Sequence, residues 1–188
     1  MPPMHPAIFL DRDGVIIENR DNYVRSWADV AIYAQALEVL ANISHYPLKV
    51  VIITNQSVVG RGLISLDTAW EINARLVDEI RKAGGRMDGV FMCPHAPEDH
   101  CACRKPLPGL FLQAAQELSL DLPRSILVGD ALSDIKAGRA AGLEQSVLVR
   151  TGLGNQQLLL PEAITLQPFP VYDSLSDALL SLVPNLKL

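Results

Sequence analysis

The sequence has little of three things: aromatic residues, cysteine and net positive charge. Phe, Trp and Tyr make up 5% of its 188 residues, and 16 Lys and Arg stand against 21 Asp and Glu, for a formal net charge of −5. Without a basic excess, nothing in the composition attracts nucleic acid or an anionic membrane, so an anionic substrate must be held by locally placed cations or by a metal. With 49% apolar and 20% charged residues, the chain has the profile of a soluble globular protein.

Long hydrophobic runs and a targeting segment are also lacking. The longest aliphatic runs, such as residues 50–53, are far too short to span a bilayer. Residues 1–6 have neither a basic segment nor an apolar core, so we expect no signal peptide. All 3 cysteines fall in residues 93–103, and an odd number in one cluster argues for a metal site in a reducing compartment rather than a disulfide framework. We expect a cytoplasmic monomer with no membrane or nucleic-acid partner.

Short, almost fully apolar runs alternate with longer amphipathic stretches, and this pattern predicts a mainly parallel sheet covered by helices on both faces. Strands are predicted at residues 7–11, 49–54, 89–92, 125–129 and 146–149, and helices at 35–43, 67–82, 108–118, 133–141 and 174–182. Ser65 or Asp67 is expected to cap the second helix, and Asp173 the last. The fold class is therefore α/β, a three-layer α/β/α sandwich with a Rossmann-like sheet in a single domain, residues 1–188. The segment 151–170 has no assignable structure.

Two acidic residues follow the first predicted strand. Asp11 and Asp13 flank Arg12, and Gly14 then allows the backbone to turn sharply. Ligands bind at the carboxyl ends of the strands in an open parallel sheet, and two carboxylates so close repel unless a cation or a proton lies between them. The motif predicts either a metal site or a division of acid and base roles, although an acidic turn after a strand would leave the same pattern.

Further polar groups stand at the ends of later strands or in a loop. The second strand runs into Thr54, whose hydroxyl can hold an anionic oxygen or cap a helix. The fourth strand is followed by Asp130 and Asp134. If the first and fourth strands are neighbours, Asp130 would complete an oxygen site suited to Mg²⁺. Either residue could instead cap the next helix. Lys105 leaves the cysteine-rich loop, which could aim it inward.

The cysteine cluster offers three thiolates and one imidazole, from Cys93, His95, Cys101 and Cys103. This donor set matches a structural Zn²⁺ site with four filled positions, although one buried free cysteine beside surface residues would also explain it. His100 is less favourably spaced because it is adjacent to Cys101. With no open coordination position, the zinc would order the loop at residues 93–103 and take no part in chemistry.

Four blocks of the chain resemble the haloacid dehalogenase (HAD) superfamily of phosphohydrolases. They are Asp11-x-Asp13-Gly14, Thr54, Lys105 and Gly129-Asp130-x-x-x-Asp134, in the order of that family. The resemblance implies a HAD-like sheet of strand order 5-4-1-2-3, which makes the first and fourth strands neighbours. The segments between the blocks are too short for a cap domain, so we expect a fairly open site.

The same resemblance implies a chemistry for each block. Asp11 would attack the phosphorus to form an aspartyl phosphate, and Asp13 would protonate the leaving group and then deprotonate water. Thr54 and Lys105 would hold the phosphate oxygens in the transition state. Mg²⁺ would be held by Asp11, the carbonyl of Asp13 and Asp130, with Asp134 behind them as a non-ligand.

The string Cys-Pro-His…Cys-x-Cys-Arg-Lys-Pro resembles a zinc-containing branch of the superfamily that acts on heptose bisphosphates and histidinol phosphate. The strings Asn22-Tyr23-Val24 and Leu148-Val149-Arg150-Thr151-Gly152 are closer to the heptose enzymes, and the resemblance covers residues 7–154. It implies a Mg²⁺-dependent phosphatase for a small phosphorylated sugar, most directly the 7-phosphate of D-glycero-D-manno-heptose 1,7-bisphosphate. The implied substrate contacts are Arg12, Asp21, Asn22, Tyr23, Asn55, Gln56, Ser57 and Arg104.

Two departures from the heptose pattern leave alternatives open. Ala131 stands where some heptose enzymes carry lysine, and the loop at residues 97–100 is short, as in the histidinol-phosphate enzymes. Histidinol phosphate is therefore the alternative substrate. A zinc-stabilised binding module without catalytic activity is the alternative outside enzymes.

Overall fold

A parallel six-stranded sheet forms the centre of the protein, as seen in a computed structural model that describes residues 4–186. The strands are β1 (Ala7–Leu10), β2 (Lys49–Asn55), β3 (Gly89–Cys93), β4 (Ile126–Gly129), β5 (Gln145–Val149) and β6 (Val171–Tyr172). Their order is β3-β2-β1-β4-β5-β6, and Leu10 pairs with Ile52 on one side and Val128 on the other. The predicted order 5-4-1-2-3 is confirmed, with β6 added beyond β5.

Helices cover both faces of this sheet. They are α1 (Ala34–Asn42), α2 (Ser57–Gly60), α3 (Leu66–Lys82), α4 (Gly109–Leu118), α5 (Leu132–Ala140), α6 (Gly154–Gln157), α7 (Pro161–Leu166) and α8 (Leu175–Leu182). Every predicted strand and helix is present with bounds within one residue of those predicted. The short elements α2, α6, α7 and β6 were not predicted. Among the described residues, no helix is both long and apolar enough to cross a membrane.

Serine side chains begin two of these helices. The Oγ of Ser65 accepts a hydrogen bond from the backbone N–H of Thr68, which confirms one of the two predicted caps of α3. The prediction that Asp173 caps α8 is wrong, because Ser174 holds that position in an extended conformation and accepts from the N–H of Asp177. Asp173 instead forms an ion pair with Arg150.

The two faces of β1 enter two separate apolar layers because side chains alternate along a strand. Ile8 and Leu10 pack in the layer formed with α1, α3 and α8. Phe9 packs on the opposite face, where its ring meets that of Phe111 from α4 edge-on, with centroids 5.1 Å apart. Burial on both faces explains why β1 is entirely apolar and fixes the position of its carboxyl end.

The sheet order reverses between β1 and β4. After β3, at one edge, the chain returns across the sheet to place β4 directly beside β1. The residue after β1 is Asp11, whose N–H donates to the carbonyl of Val128 at 3.0 Å, and the residue after β4 is Asp130. A crevice opens at such a switch point, and it brings these two carboxylates together.

Candidate active site

A cleft of about 430 Å³ lies over the carboxyl ends of β1 and β4. Its walls come from the loop after β1, the start of α2, the loop before α4 and the turns after β4 and β5. The lining residues are Asp11, Asp13, Asn19, Arg20, Asp21, Tyr23, Val24, Asn55, Gln56, Ser57, Lys105, Asp130, Ala131, Ser133 and Leu153. Most of the residues predicted to form the site therefore share one concave surface.

Lys105 lies buried at the floor of this cleft, with 2% of its side chain exposed. Its Nζ is 3.0 Å from Oδ1 of Asp11, 2.7 Å from Oδ1 of Asp134 and 3.0 Å from the carbonyl oxygen of Ile53. Burial opposes its charge, but the carboxylates of Asp11 and Asp134 outweigh that effect and raise the pKa of Lys105. Lys105 is therefore a fixed cation beside Asp11.

The backbone of Lys105 is held by Asn55, the last residue of β2. The side-chain amide of Asn55 donates to the carbonyl of Lys105 and accepts from its N–H, both at 3.1 Å. This two-point contact ties the loop before α4 to the carboxyl edge of the sheet. Asn55 was predicted as a substrate contact; the structure also gives it a part in placing the lysine.

The carboxylate of Asp13 is held by hydrogen bonds from Arg12 and Gln56. Its Oδ2 accepts from Nε of Arg12 and Nε2 of Gln56, each at 3.0 Å, and its Oδ1 accepts from Nη2 of Arg12 at 3.1 Å. The Asp13 side chain remains 24% exposed. It can therefore meet a bound ligand while its orientation is fixed from behind.

Asp130 occupies a narrow cradle between two glycines. A Cβ at Gly14 would lie 2.0 Å from Oδ2 of Asp130, and one at Gly152 would lie 2.3 Å from it, so both positions require glycine. The same oxygen accepts from Nδ2 of Asn19 at 2.7 Å and from the N–H of Leu153 at 2.8 Å. These contacts all fall on Oδ2, and none falls on Oδ1 among the described residues.

The carboxylates at this edge meet the requirements of a cation site. Oxygens of Asp11, Asp130 and Asp134 all lie within 4.8 Å of one another. Desolvation raises the pKa of Asp11 well above its usual range; the charge of Lys105 opposes this shift, and the charges of Asp134 and Asp130 add to it. Desolvation, together with the nearby charge of Asp134, raises the pKa of Asp130 to about 7. Repulsion between buried carboxylates favours the binding of a divalent cation between them. Hard cations such as Mg²⁺ prefer oxygen ligands of this kind.

Asp134 is engaged elsewhere within this group. Its Oδ1 pairs with Lys105 and its Oδ2 accepts from the N–H of Ala131 at 3.0 Å at the start of α5. Oδ1 is therefore engaged in an ion pair and Oδ2 in a backbone hydrogen bond. That Asp134 lies behind the metal ligands stays a prediction, and the structure adds that it pairs with Lys105.

The four predicted zinc ligands converge in a second cluster. Donor atoms of Cys93, His95, Cys101 and Cys103 all lie within 4.8 Å of one another, with sulfur–sulfur distances of 3.1 to 3.5 Å. Zn–S bonds of about 2.3 Å in a tetrahedron would place sulfurs roughly 3.8 Å apart, so the four groups nearly have that arrangement. Partial burial opposes ionisation of Cys101, but hydrogen bonds from the Cys103 and Cys93 thiols outweigh it and lower the pKa of Cys101 to about 7. The cluster can hold a metal ion.

Four of the residues predicted for catalysis or substrate binding do not line the cleft. Arg12 is 1% exposed and directs its guanidinium to Asp13 and Gln56, so its placement as a direct substrate contact is corrected. Thr54 is fully buried, and its hydroxyl oxygen accepts from Gln56 at 2.9 Å. Asn22 lies on the outer side of the flap (residues 18–25), and Arg104 lies beside the zinc cluster, where it donates to the carbonyl of His95 at 3.2 Å.

Sequence reasoning missed residues that organise the site from outside the motifs. Asn19 on the flap and Leu153 after β5 hold Asp130, and Asn73 on α3 accepts from Nη1 of Arg12 at 2.8 Å. Asn73 did leave a signal in the sequence, since it is an amide on the apolar face of a helix between Ile72 and Leu76. Asn19 left none, because its role depends on how the flap folds back.

Comparison with known proteins identifies close relatives. The HAD-hydrolase-like family model matches residues 102–178. The D-glycero-beta-D-manno-heptose-1,7-bisphosphate 7-phosphatase of Bordetella bronchiseptica is 39% identical over 158 residues, covering 82% of this chain and 88% of that protein. The protein of the same name from Helicobacter pylori strain J99 is 40% identical over 144 residues, covering 76% and 82%.

A solved structure extends the likeness to three dimensions. The crystal structure of D,D-heptose 1,7-bisphosphate phosphatase from B. bronchiseptica, complexed with magnesium and phosphate, matches with a TM-score of 0.85 at 36% identity. The match covers 95% of this chain and 98% of that one. The likeness therefore extends over nearly the whole length of both chains.

Proposed function

We propose that the chain removes the 7-phosphate of D-glycero-β-D-manno-heptose 1,7-bisphosphate with the help of Mg²⁺. The chain belongs to the HAD-like hydrolases, in the branch of the heptose-1,7-bisphosphate 7-phosphatases. One observation carries the proposal: Asp11, Asp130 and Lys105 converge at the switch point of a sheet that matches a relative complexed with magnesium and phosphate. The identity of that relative supports the choice of sugar.

Asp11 is the proposed nucleophile. Among the described residues, its side-chain contacts all fall on Oδ1, which accepts from the N–H of Arg12 at 2.8 Å and pairs with Lys105 at 3.0 Å. Oδ2 is thereby left to attack the phosphorus. Attack forms an aspartyl phosphate and breaks the bond between phosphorus and the sugar oxygen, and water then hydrolyses this intermediate.

Asp13 is the proposed proton donor and acceptor. It gives a proton to the sugar oxygen as the P–O bond breaks, and it takes one from the water that attacks the aspartyl phosphate. The clamp of Arg12 and Gln56 keeps its carboxyl group at a fixed place during both steps. Its partial exposure to the cleft lets it reach both oxygens.

The carboxylates of Asp11 and Asp130 and the carbonyl of Asp13 are the proposed ligands of Mg²⁺. When bound, this ion neutralises negative charge on the phosphate and keeps Asp11 ionised. Lys105 contributes a second positive charge to the transferred phosphate, and Asp134 holds it in place. Thr54 is proposed to support this arrangement through Gln56.

The rest of the cleft suits a sugar. Asp21 and Tyr23 from the flap, together with Gln56 and Ser57 on the opposite wall, offer groups that can bind sugar hydroxyls. Arg104 adjoins Lys105 in the chain and lies outside the cleft in this structure; we propose that its guanidinium leaves the His95 carbonyl to bind the second phosphate through two parallel hydrogen bonds. The zinc cluster anchors the residue before Arg104, and we propose that Zn²⁺ fills it with a structural role.

A side-by-side assay tests this function. The protein with Mg²⁺ is given heptose 1,7-bisphosphate or histidinol phosphate, and ³¹P NMR identifies which phosphate is released. We expect a kcat/KM for the heptose bisphosphate at least about a hundredfold higher, with loss of the 7-phosphate alone, since a site that binds a second phosphate and sugar hydroxyls penalises substrates that lack them. Preference for histidinol phosphate, or release of the 1-phosphate, would overturn the proposed substrate.

A further inference from the structure

Asn73 is an unusual residue for its position on α3. It is 1% exposed on a helix face whose other buried members, such as Ile72, Leu76 and Ile80, are apolar. Burying an amide is costly unless it is hydrogen-bonded. Its Oδ1 accepts from Nη1 of Arg12 at 2.8 Å, and its Nδ2 faces the sulfur of Met92 at 3.5 Å. The strong contact of Asn73 is therefore the one to Arg12.

Arg12 connects Asn73 to the cleft. Its guanidinium is planar and rigid, so the direction of one N–H fixes the direction of the others. While Nη1 donates to Asn73, Nε and Nη2 donate to the two oxygens of Asp13, and Nη2 also donates to Oε1 of Gln56 at 2.9 Å. The guanidinium thus has an acceptor on each side, one on α3 and one at the cleft.

The two oxygens of Asp13 are left unequal by this arrangement. Oδ2 accepts from both Arg12 and Gln56, whereas Oδ1 accepts from Arg12 alone. Oδ1 therefore has the freer lone pair, which makes it the oxygen better placed to carry a proton in the proposed exchange. The position of Oδ1 depends on the orientation of the Arg12 guanidinium, and Asn73 restrains that orientation through its hydrogen bond to Nη1.

We propose that Asn73 is a positioning residue for proton transfer: it orients Arg12, which in turn holds Oδ1 of Asp13 toward the leaving oxygen. The inference rests on the proposed phosphohydrolase function but not on the identity of the sugar. In the first step, the Asp11–phosphorus bond forms, the bond to the leaving oxygen breaks, and the proton of Asp13 goes to that oxygen. Without Asn73 the guanidinium can turn, and the proton is no longer delivered along a fixed line.

The dependence of rate on the leaving group tests this role. The substrates are 4-nitrophenyl phosphate, phenyl phosphate and glycerol 2-phosphate, in order of increasingly basic leaving oxygen, with saturating Mg²⁺. The readout is kcat/KM, which covers the steps up to departure of the leaving group. For Asn73→Leu we expect kcat/KM for glycerol 2-phosphate to fall at least about tenfold more than for 4-nitrophenyl phosphate, because nitrophenolate leaves without a proton.

Matched variants separate positioning from loss of packing. Ile72→Val removes a methyl group from the neighbouring position of α3 and should lower kcat/KM for all three esters by one common factor, if at all. Asn73→Asp keeps an acceptor for Arg12 and should restore the leaving-group dependence of the wild type. Should Asn73→Leu fail to fold, Asn73→Ser carries the same expectation.

The outcomes are distinct. Equal losses on all three esters for the Asn73 variants would overturn the positioning role, even if the wild type proves to be a heptose phosphatase. A wild type that hydrolyses these esters but rejects the heptose bisphosphate would overturn only the proposed sugar. A wild type that hydrolyses no phosphate ester would overturn both.

Discussion

At the scale of single residues, two carboxylates that stand one residue apart have different surroundings and therefore suit different tasks. Asp11 lies against Lys105 and near Asp130, where burial and like charges raise its pKa until a cation is bound. The carboxylate of Asp13 lies against a guanidinium and an amide, and it is not part of the carboxylate cluster that Asp11, Asp130 and Asp134 form among the described residues. A buried anion beside fixed positive charge is suited to attack on phosphorus, and a held, partly exposed carboxyl group to proton exchange.

Asp11→Asn should abolish turnover and leave the fold intact. The amide has nearly the shape of the carboxylate but cannot attack phosphorus, so we expect kcat to fall by at least about a thousandfold. Circular dichroism melting should show a Tm close to that of the wild type, because the change also removes a like charge from beside Asp130. A variant that retains more than a few per cent of wild-type kcat would show that Asp11 is not the nucleophile.

The residues that could be predicted are those whose position follows from the end of a strand. Asp11 and Asp130 directly follow apolar runs, and a parallel sheet brings such ends to one edge. Arg12 could not be placed from the sequence, because a side chain between two acidic residues can face either the ligand or the interior. Asn73 and Asn19 act through contacts that exist only after distant segments pack together.

At the scale of elements, the loop between β3 and α4 depends on side-chain contacts to hold its conformation. Apart from a 3₁₀ turn at Pro97–Asp99, it has no regular structure, yet it must deliver Lys105 to the floor of the cleft. Its restraints are the cysteine–histidine cluster and the contact of Asn55 with the Lys105 backbone. The cluster and Asn55 therefore both act on the segment that carries Lys105.

Removal of zinc should lower stability and activity together. Stripping the metal from the folded protein leaves three thiols and an imidazole in close contact, and the loop loses the energy that ordered it. We expect one tightly held Zn²⁺ per chain by elemental analysis and, after stripping and resupply of Mg²⁺, a lower Tm and a lower kcat.

Readdition of Zn²⁺ should restore both quantities, whereas Mg²⁺ alone should restore neither. His100→Ala is a matched control, because His100 adjoins Cys101 but is not part of the four-residue cluster. It should leave the zinc content unchanged. Zinc removal without effect on Tm or kcat would contradict the structural role.

The elements that could be predicted from the sequence are those long enough to show a recurring pattern of apolar residues. The strands β1 to β5 are apolar runs, and helices such as α3 bury one face, so composition and period agree with the structure. β6 has two residues and α6 four, which is too short for any period to appear. These pieces form because β5 offers a free edge and the chain after it must return to that edge, which is a tertiary effect.

At the scale of the whole molecule, the site joins the two halves of the sheet. The half β3-β2-β1 supplies Asp11 and Lys105, and the half β4-β5-β6 supplies Asp130 and Asp134. Backbone pairing between β1 and β4 brings these acidic groups together, although their charges repel. A cation bound between Asp11 and Asp130 would therefore reduce the charge repulsion between carboxylates that the pairing of β1 with β4 brings together.

Mg²⁺ should accordingly stabilise the native protein, since a ligand that binds only the folded state shifts the unfolding equilibrium. At a hundred times its dissociation constant, the expected gain is about 2.7 kcal/mol, or on the order of 5–10 °C in Tm for a chain of this size. The measurement is thermal unfolding of the zinc-loaded protein with and without Mg²⁺.

Asp130→Asn should lose most of this shift, because the amide removes one of the two charges that face the ion. Asp173→Asn is the matched control: its side chain is 84% exposed, it pairs only with Arg150 among the described residues, and its variant should keep the full shift. If Asp130→Asn were stabilised by Mg²⁺ as much as the wild type, the ion would have to bind outside the crevice between β1 and β4. The argument from strand order to metal site would then fail.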